Sequence, residues 1–269
     1  MIGIFDSGLG GLTILKSILK TLPNYDYLYL GDNARAPYGN KHQDVIYDYT
    51  KQAVDFLFAK GCKIIIIACN TASSEALRKI QQKHLSKAYP DRRVLGVIKP
   101  LVEKIAQDDK IRLVGVIGTK ATISSNIYPT ELKNLTPKIK VEQVTAPLLV
   151  PLIEEGWTTE PETKSILKKY LRPLKEKNVQ ILIPACTHYP FLFSDMKRFM
   201  PKKCEVLNTG EIVAASLLDY LRRHAELGVK SSRRPKIEFY TTDDIEKFKI
   251  LGEKFLGEKI KKIKKISLQ

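Results

Sequence analysis

The sequence predicts an α/β protein of two similar α/β domains with mainly parallel sheets and a functional cleft between them. Three observations predict it. Short aliphatic runs alternate with helix-length amphipathic stretches along the 269 residues. Two of the runs end in matched cysteine segments, IIIIACNT at Cys69 and ILIPACTH at Cys186. An early strand and loop precede each cysteine at nearly equal offset, ending at Asp6-Ser7 and at Gly118-Thr119. Strands separated by helices of this length make βαβ units. An uninterrupted aliphatic run reads as a strand buried on both faces, and open α/β sheets bind ligands at the carboxyl ends of their strands. Two matched thiols at two such edges point to one pocket with a sulfur on each wall.

Element by element, residues 1–5 read as a strand, 8–19 as a glycine loop and then a helix, and 25–30 as the next strand before the loop GDNARAPYGN. Helix periodicity runs over 44–59 and 73–85 on either side of the strand 62–68. The second half repeats the theme, with a strand at 94–98, a helix from Leu101, strands at 112–117 and 142–145, a helix over 159–177 and a strand over 179–183. Segments EVLNTGEIVAASLLDYLRR and IEFYTTDDIEKF give further strand and helix, each too short to be a domain alone. They are assigned back to the first half. The expected division is therefore a discontinuous first domain, 1–97 plus 207–269, carrying Cys69, and a second domain, 98–206, carrying Cys186. In the tail, Ile260, Ile263 and Ile266 suit a helix face or a final strand.

Composition narrows the class. Hydrophobic content of 43% and charged content of 28% are those of a globular protein. No stretch is long and apolar enough to span a bilayer, and the start MIGIFDSGLGGLTIL lacks a basic leader and cleavage site. A cytoplasmic location is expected, with no membrane contact. The four cysteines, at 62, 69, 186 and 204, have neither metal-ligand spacing nor the density of a disulfide framework, so they are expected as reduced thiols with no metal bound. The net charge of +16 raises a nucleic-acid partner as a rival. The charge is spread along the chain, however, its one dense cluster is the tail GEKIKKIKKISLQ, and no nucleic-acid-binding signature accompanies it. A solvated lysine-rich surface explains it better, and such a field draws in anionic substrates.

The thiols need polar neighbours to work as acids and bases, because a free thiol titrates near about 8.5. Asn70, Thr71, Ser73 and Ser74 follow Cys69, and Thr187 and His188 follow Cys186. Cys62 and Cys204 lack such flanks and read as small hydrophobes. A Cys-His nucleophile leaves the second matched thiol idle. A redox pair lacks the close Cys-x-x-Cys spacing. A two-base enzyme, with one thiolate removing a proton and the opposite thiol returning one, uses both.

The segments DSGLGGLTIL, GDNARAPYG, IACNTASSEAL, GVIGTKAT, PLLVPLIEEG and ACTHYPFL, in this order, closely resemble the signature segments of the glutamate racemase family within the aspartate/glutamate racemases. The resemblance implies two α/β domains and cofactor-independent interconversion of L- and D-glutamate, the D-form supplying peptidoglycan synthesis. A racemase for aspartate or another small amino acid is the nearest alternative. Carried over, Cys69 acts on the D-enantiomer and Cys186 on the L-enantiomer, with Asp6 assisting near Cys69 and His188 with Glu154 assisting near Cys186. Substrate contacts are implied at Asp6, Ser7, Tyr38, Gly39, Asn70, Thr71, Thr119, Thr187 and His188. By their residue types alone, Asp6 also suits a helix cap, Glu154 a surface position beside Glu155, and Tyr38 turn packing. A homodimer is left open, since oligomeric state and regulation leave no mark in the sequence. Two positions depart from the family pattern. Ala185 stands where glycine is usual before the second cysteine, tolerable if the backbone there avoids positive φ. Asn208-Thr209-Gly210 stands where Asp-Ser-Gly is usual, which loses a carboxylate.

Overall fold

The computed structural model describes residues 1–268; Gln269, the last residue of the expected first domain, lies outside them. The strands form two sheets. The first has the order β10-β9-β2-β1-β3-β4, built from β1 (Ile2–Asp6), β2 (Tyr27–Gly31), β3 (Ile64–Ile67), β4 (Arg93–Gly96), β9 (Ile237–Thr241) and β10 (Ile263–Lys265). The second has the order β6-β5-β7-β8, from β5 (Leu113–Gly118), β6 (Lys140–Thr145), β7 (Ile181–Ala185) and β8 (Glu205–Val206). Every pairing among the described residues is parallel.

The expected internal repeat is visible in strand order. The run β2-β1-β3-β4 of the first sheet matches β6-β5-β7-β8 of the second. In each, the founding strand sits between its next two partners, so the chain winds away from it in both directions. That reversal opens a crevice at the carboxyl ends of the two neighbouring central strands. β1 and β3 leave Asp6 and Cys69 there; β5 and β7 leave Thr119 and Cys186.

Burial explains the aliphatic runs. Ile64 to Ile67 are covered on both faces, as are Ile181 to Ala185, because helices flank each sheet on both sides. The helix Leu12–Thr21 buries Leu12, Leu15 and Ile18 completely, worth roughly 1.5–3 kcal/mol for each such side chain. This anchors the glycine loop in front of it.

Several boundaries differ from the sequence reading. The helix expected from 73 begins at Asn70, directly behind Cys69, because the thiol caps it: the Ala72 N–H donates to Cys69 Sγ at 3.4 Å. It breaks at Ala76, and the run expected as one helix continues as Leu77–Lys79, a π-helical turn Ile80–Leu85 and Ser86–Ala88. The helices Ile127–Leu135 and Leu149–Glu154 were not read from the pattern; Pro129 and Pro151 fall within their first turns and disguise them. The tail is strand β10, parallel to β9, with Ile260 buried beside it.

Candidate active site

The two crevices face each other and form one cavity of about 350 Å³. Its walls bring together Ser7, Tyr38, Gly39, Cys69, Asn70 and Thr71 from the first half of the chain with Thr119, Glu154, Cys186, Thr187 and His188 from the second. Glycine makes the approach possible. A methyl at Gly10 would stand 2.2 Å from Thr187 Oγ1 and 2.6 Å from His188 Nδ1, and one at Gly39 would meet Thr119 Cβ at 2.9 Å.

The first wall centres on Cys69, which is almost fully buried. Its sulfur lies 3.3 Å from Ser7 Oγ and receives the Ala72 amide. Burial, and then the charge of Asp6, push its thiol up to about 12, against the stabilising bonds from Ser7 and Ala72. Asp6 does not line the cavity. It is fully buried behind the wall, accepting hydrogen bonds from the Gly8 N–H at 3.0 Å and from the Thr187 hydroxyl at 3.3 Å. Burial raises its carboxyl above the ordinary range, partly offset by the charge of His188 and by the Gly11 and Gly8 amides. Rather than capping the helix Leu12–Thr21, Asp6 holds the turn before it and ties Thr187 to the first wall.

The second wall is a chain of proton carriers. Cys186 Sγ lies 3.8 Å from His188 Nδ1, and His188 Nε2 donates to Glu154 Oε1 at 3.0 Å. Burial alone would lower the His188 pKa, but the bonds to Cys186 and Glu154 outweigh it and hold the ring up at about 10. Burial works to raise Glu154, and the bond and charge of His188 with the charge of Lys247 outweigh it, leaving the carboxyl below its ordinary value. At neutral pH the arrangement is a protonated thiol at Cys69 on one wall and, on the other, a charged His188 ring beside the Cys186 sulfur.

Tyr38 is fully buried, and its hydroxyl donates to Asp32 rather than into the cavity. Asp32, itself fully buried, also accepts from Arg35 Nε at 2.7 Å and Thr242 Oγ1 at 2.8 Å. The ring and the following Gly39 therefore form a fixed edge of the cavity. Thr71 Oγ1 meets Thr119 Oγ1 at 2.9 Å and Thr122 Oγ1 at 3.2 Å, a hydroxyl cluster joining the two halves. Among the described residues no group of three or more His, Cys, Asp or Glu side chains could hold a metal ion, and no helix is long and apolar enough to cross a membrane.

Comparison with known proteins agrees with this geometry. Residues 2–217 match the family model described as Asp/Glu/Hydantoin racemase. The glutamate racemase of Geobacter metallireducens is 37% identical over 100% of this chain and 97% of its own. The chain belongs to the Asp/Glu/hydantoin racemase family. Among solved members, the glutamate racemase of Francisella tularensis in complex with D-glutamate superposes with a TM-score of 0.90 at 36% identity, covering 99% of this chain and 97% of that one. An isoform of glutamate racemase from Bacillus anthracis gives 0.92 at 31% identity, covering 100% and 97%.

The departures from the racemase pattern prove local. Ala185 is not among the residues with positive φ, and its methyl stands beside Gly118 across the β5–β7 ladder, where there is room. Asn208 caps the helix Thr209–Arg223, its Oδ1 accepting from the Glu211 N–H at 3.4 Å, and is not part of the cavity wall. The missing carboxylate therefore takes no side chain from the cavity wall. Cys62 and Cys204 are buried outside the cavity, their thiols pushed up by burial to about 12 and about 11. Two residues at or behind the cavity wall gave no signal in the sequence. Tyr128 bonds to Asn70 yet reads as a core aromatic, and Lys247 lines the cavity from the helix Ile245–Leu256, whose return to the first half no motif fixed.

Proposed function

We propose that this racemase interconverts L- and D-glutamate without a cofactor, by proton transfer at Cα between Cys69 and Cys186. The observation that carries the reading is two buried cysteines lining one cavity, each with its own proton partners. Cys186 has His188 and Glu154; Cys69 has Ser7 and the Ala72 amide, with Asp6 behind it. The two glutamate racemase structures and the sequence relative support the substrate.

With L-glutamate, Cys186 as thiolate takes the Cα proton, its charge balanced beforehand by His188. The electron pair left at Cα spreads into the α-carboxylate. That developing charge needs fixed donors in a site closed to water, and Asn70, Thr71 and Thr187 are among the polar groups on the walls. Cys69, held as a thiol, delivers its proton to the opposite face. The D-enantiomer runs the same steps in reverse. Asp6 holds Thr187 and the turn after β1, while Tyr38 and Gly39 border the substrate. We assign residues 1–97 and 207–268 to the Cys69 domain and 98–206 to the Cys186 domain. The enzyme works in the cytoplasm, supplying D-glutamate for peptidoglycan synthesis.

Replacing either thiol tests this reading. Cys69→Ser and Cys186→Ser are each expected to lower racemisation by at least about a hundredfold, whereas Cys62→Ser and Cys204→Ser retain it. In D2O, product formed from either enantiomer should carry deuterium at Cα without added pyridoxal phosphate or metal. Full activity in Cys69→Ser or Cys186→Ser, or turnover of aspartate in preference to glutamate, would overturn it.

A further inference from the structure

Asn70 is 3% exposed and lines the cavity. Its side-chain nitrogen, Nδ2, has no hydrogen-bond partner among the described residues. The other arm of the same carboxamide is occupied: the Tyr128 hydroxyl donates to Asn70 Oδ1 at 2.8 Å. Tyr128 is fully buried in the helix Ile127–Leu135, beyond β5, whereas Asn70 opens the helix behind β3 and Cys69. The bond therefore runs from one half of the molecule to the other. A carboxamide held by its oxygen presents its N–H groups on the other branch, and a buried donor left unmade is costly. The neighbouring Thr71 is held from the same side, by Thr119 and Thr122, so the backbone carrying Asn70 is fixed as well as its side chain.

We infer that Tyr128 is a positioning residue for substrate recognition. From the second half of the molecule, its hydroxyl fixes the Asn70 carboxamide so that Nδ2 donates to a carboxylate of the bound amino acid. The inference rests on the proposed amino-acid racemase reading. Tyr128 does not touch the substrate; it decides which end of the carboxamide faces it. Without the hydroxyl, the side chain can turn about its last torsion and offer oxygen to an anion, which repels it. The recognition is made before and throughout reaction at both enantiomers, so its loss appears in KM rather than in the proton-transfer step.

In Tyr128→Phe the ring stays and only the hydroxyl goes. KM for L- and D-glutamate should rise about tenfold, the worth of one well-placed hydrogen bond, with kcat changed less than about threefold and the limbs of the pH profile unmoved. Asn70→Ala should raise KM at least as much, and Tyr128→Phe added to Asn70→Ala should raise it no further, because the shared group is already gone. An unchanged KM in Tyr128→Phe overturns the inference. So does a double variant in which the two effects multiply, or a fall in kcat and melting temperature at constant KM. Turnover of glutamate by the unaltered protein decides the underlying reading by itself. A crystal structure of Tyr128→Phe decides the inference separately: an Asn70 carboxamide still in its original orientation refutes it whatever the substrate is.

Discussion

At the scale of single residues, the two walls are electrically unlike, although the chain segments that build them are alike. Cys69 is a buried thiol near a buried carboxyl, while Cys186 stands beside a ring whose proton is held by Glu154. L- and D-glutamate have equal free energies in water, so the equilibrium constant is unity and every variant must change kcat/KM equally in both directions. The asymmetry can therefore emerge only in the separate values of kcat and KM and in the pH dependence of each, since kcat/KM has one pH profile for both directions. Glu154→Gln keeps an acceptor for His188 and removes the charge. It should lower kcat/KM by on the order of tenfold in both directions and move the alkaline limb of the pH profile down from the region of about 10 to which His188 is raised. Stability follows the same linkage. A His188 pKa raised from 6.5 to about 10 contributes stability that is full below pH 6.5 and is lost as pH rises through about 10. Thermal unfolding across pH should show Glu154→Gln less stable than the parent at neutral pH, with the gap closing above pH 10. A constant gap, or an unmoved alkaline limb, would contradict the coupling. In the sequence, His188 was visible beside its cysteine; Glu154 was not separable from its neighbour Glu155, since the contact depends on where the helix Leu149–Glu154 ends.

At the scale of elements, the strands were legible because burial on both faces leaves a continuous aliphatic run, as at Ile64–Ile67. Helix boundaries were not, because they depend on caps of an uncommon type, such as the Cys69 thiol, and on prolines such as Pro129. The π-helical turn Ile80–Leu85 is a case where periodicity alone misleads. Its His84 Nε2 meets Asp55 Oδ1 at 2.5 Å, and Asp55 Oδ2 pairs with Lys51 at 2.9 Å, joining the turn to the helix Gln43–Ala59. This side-chain contact holds a widened turn that no local pattern encodes. Burial works to raise the Asp55 pKa, and the bonds from Lys51 and His84 outweigh it, so the carboxyl is lowered. A lowered carboxyl contributes stability above its ordinary value of 3.8, and that contribution is lost as pH falls through the still lower folded value. Asp55→Asn should cost about 1 kcal/mol at pH 7, read as a lower denaturation midpoint, and progressively less below pH 3.8. A variant equally destabilised at pH 7 and in acid would show that the contact acts by packing instead.

At the scale of the whole molecule, the repeat announced by Cys69 and Cys186 extends to four strands in matching order, and it sets the two sheets so that their switch points meet. The sequence could not show that β9 adds beside β2 and β10 beside β9, because neither strand carries a motif that fixes its neighbour. Their consequence is functional, since the helix Ile245–Leu256 between them brings Lys247 to the cavity. Lys247 is the near end of a wider field. With 45 basic and 29 acidic residues, the net charge of +16 surrounds a cleft proposed to accept a substrate with two carboxylates. Spread positive charge raises the local concentration of an anion, and salt screens it over about 10 Å at 0.1 M. Raising NaCl from about 0.05 to about 0.5 M should therefore increase KM for both glutamate enantiomers a few-fold while leaving kcat within about twofold, because the thiols and His188 are buried away from the salt. Lys247→Gln should reproduce part of the KM increase at low salt and show a smaller further response to salt. A KM independent of salt would mean that the basic surface plays no part in capture. Tight, salt-sensitive binding of a DNA duplex without racemase activity would instead assign the charge to nucleic acid.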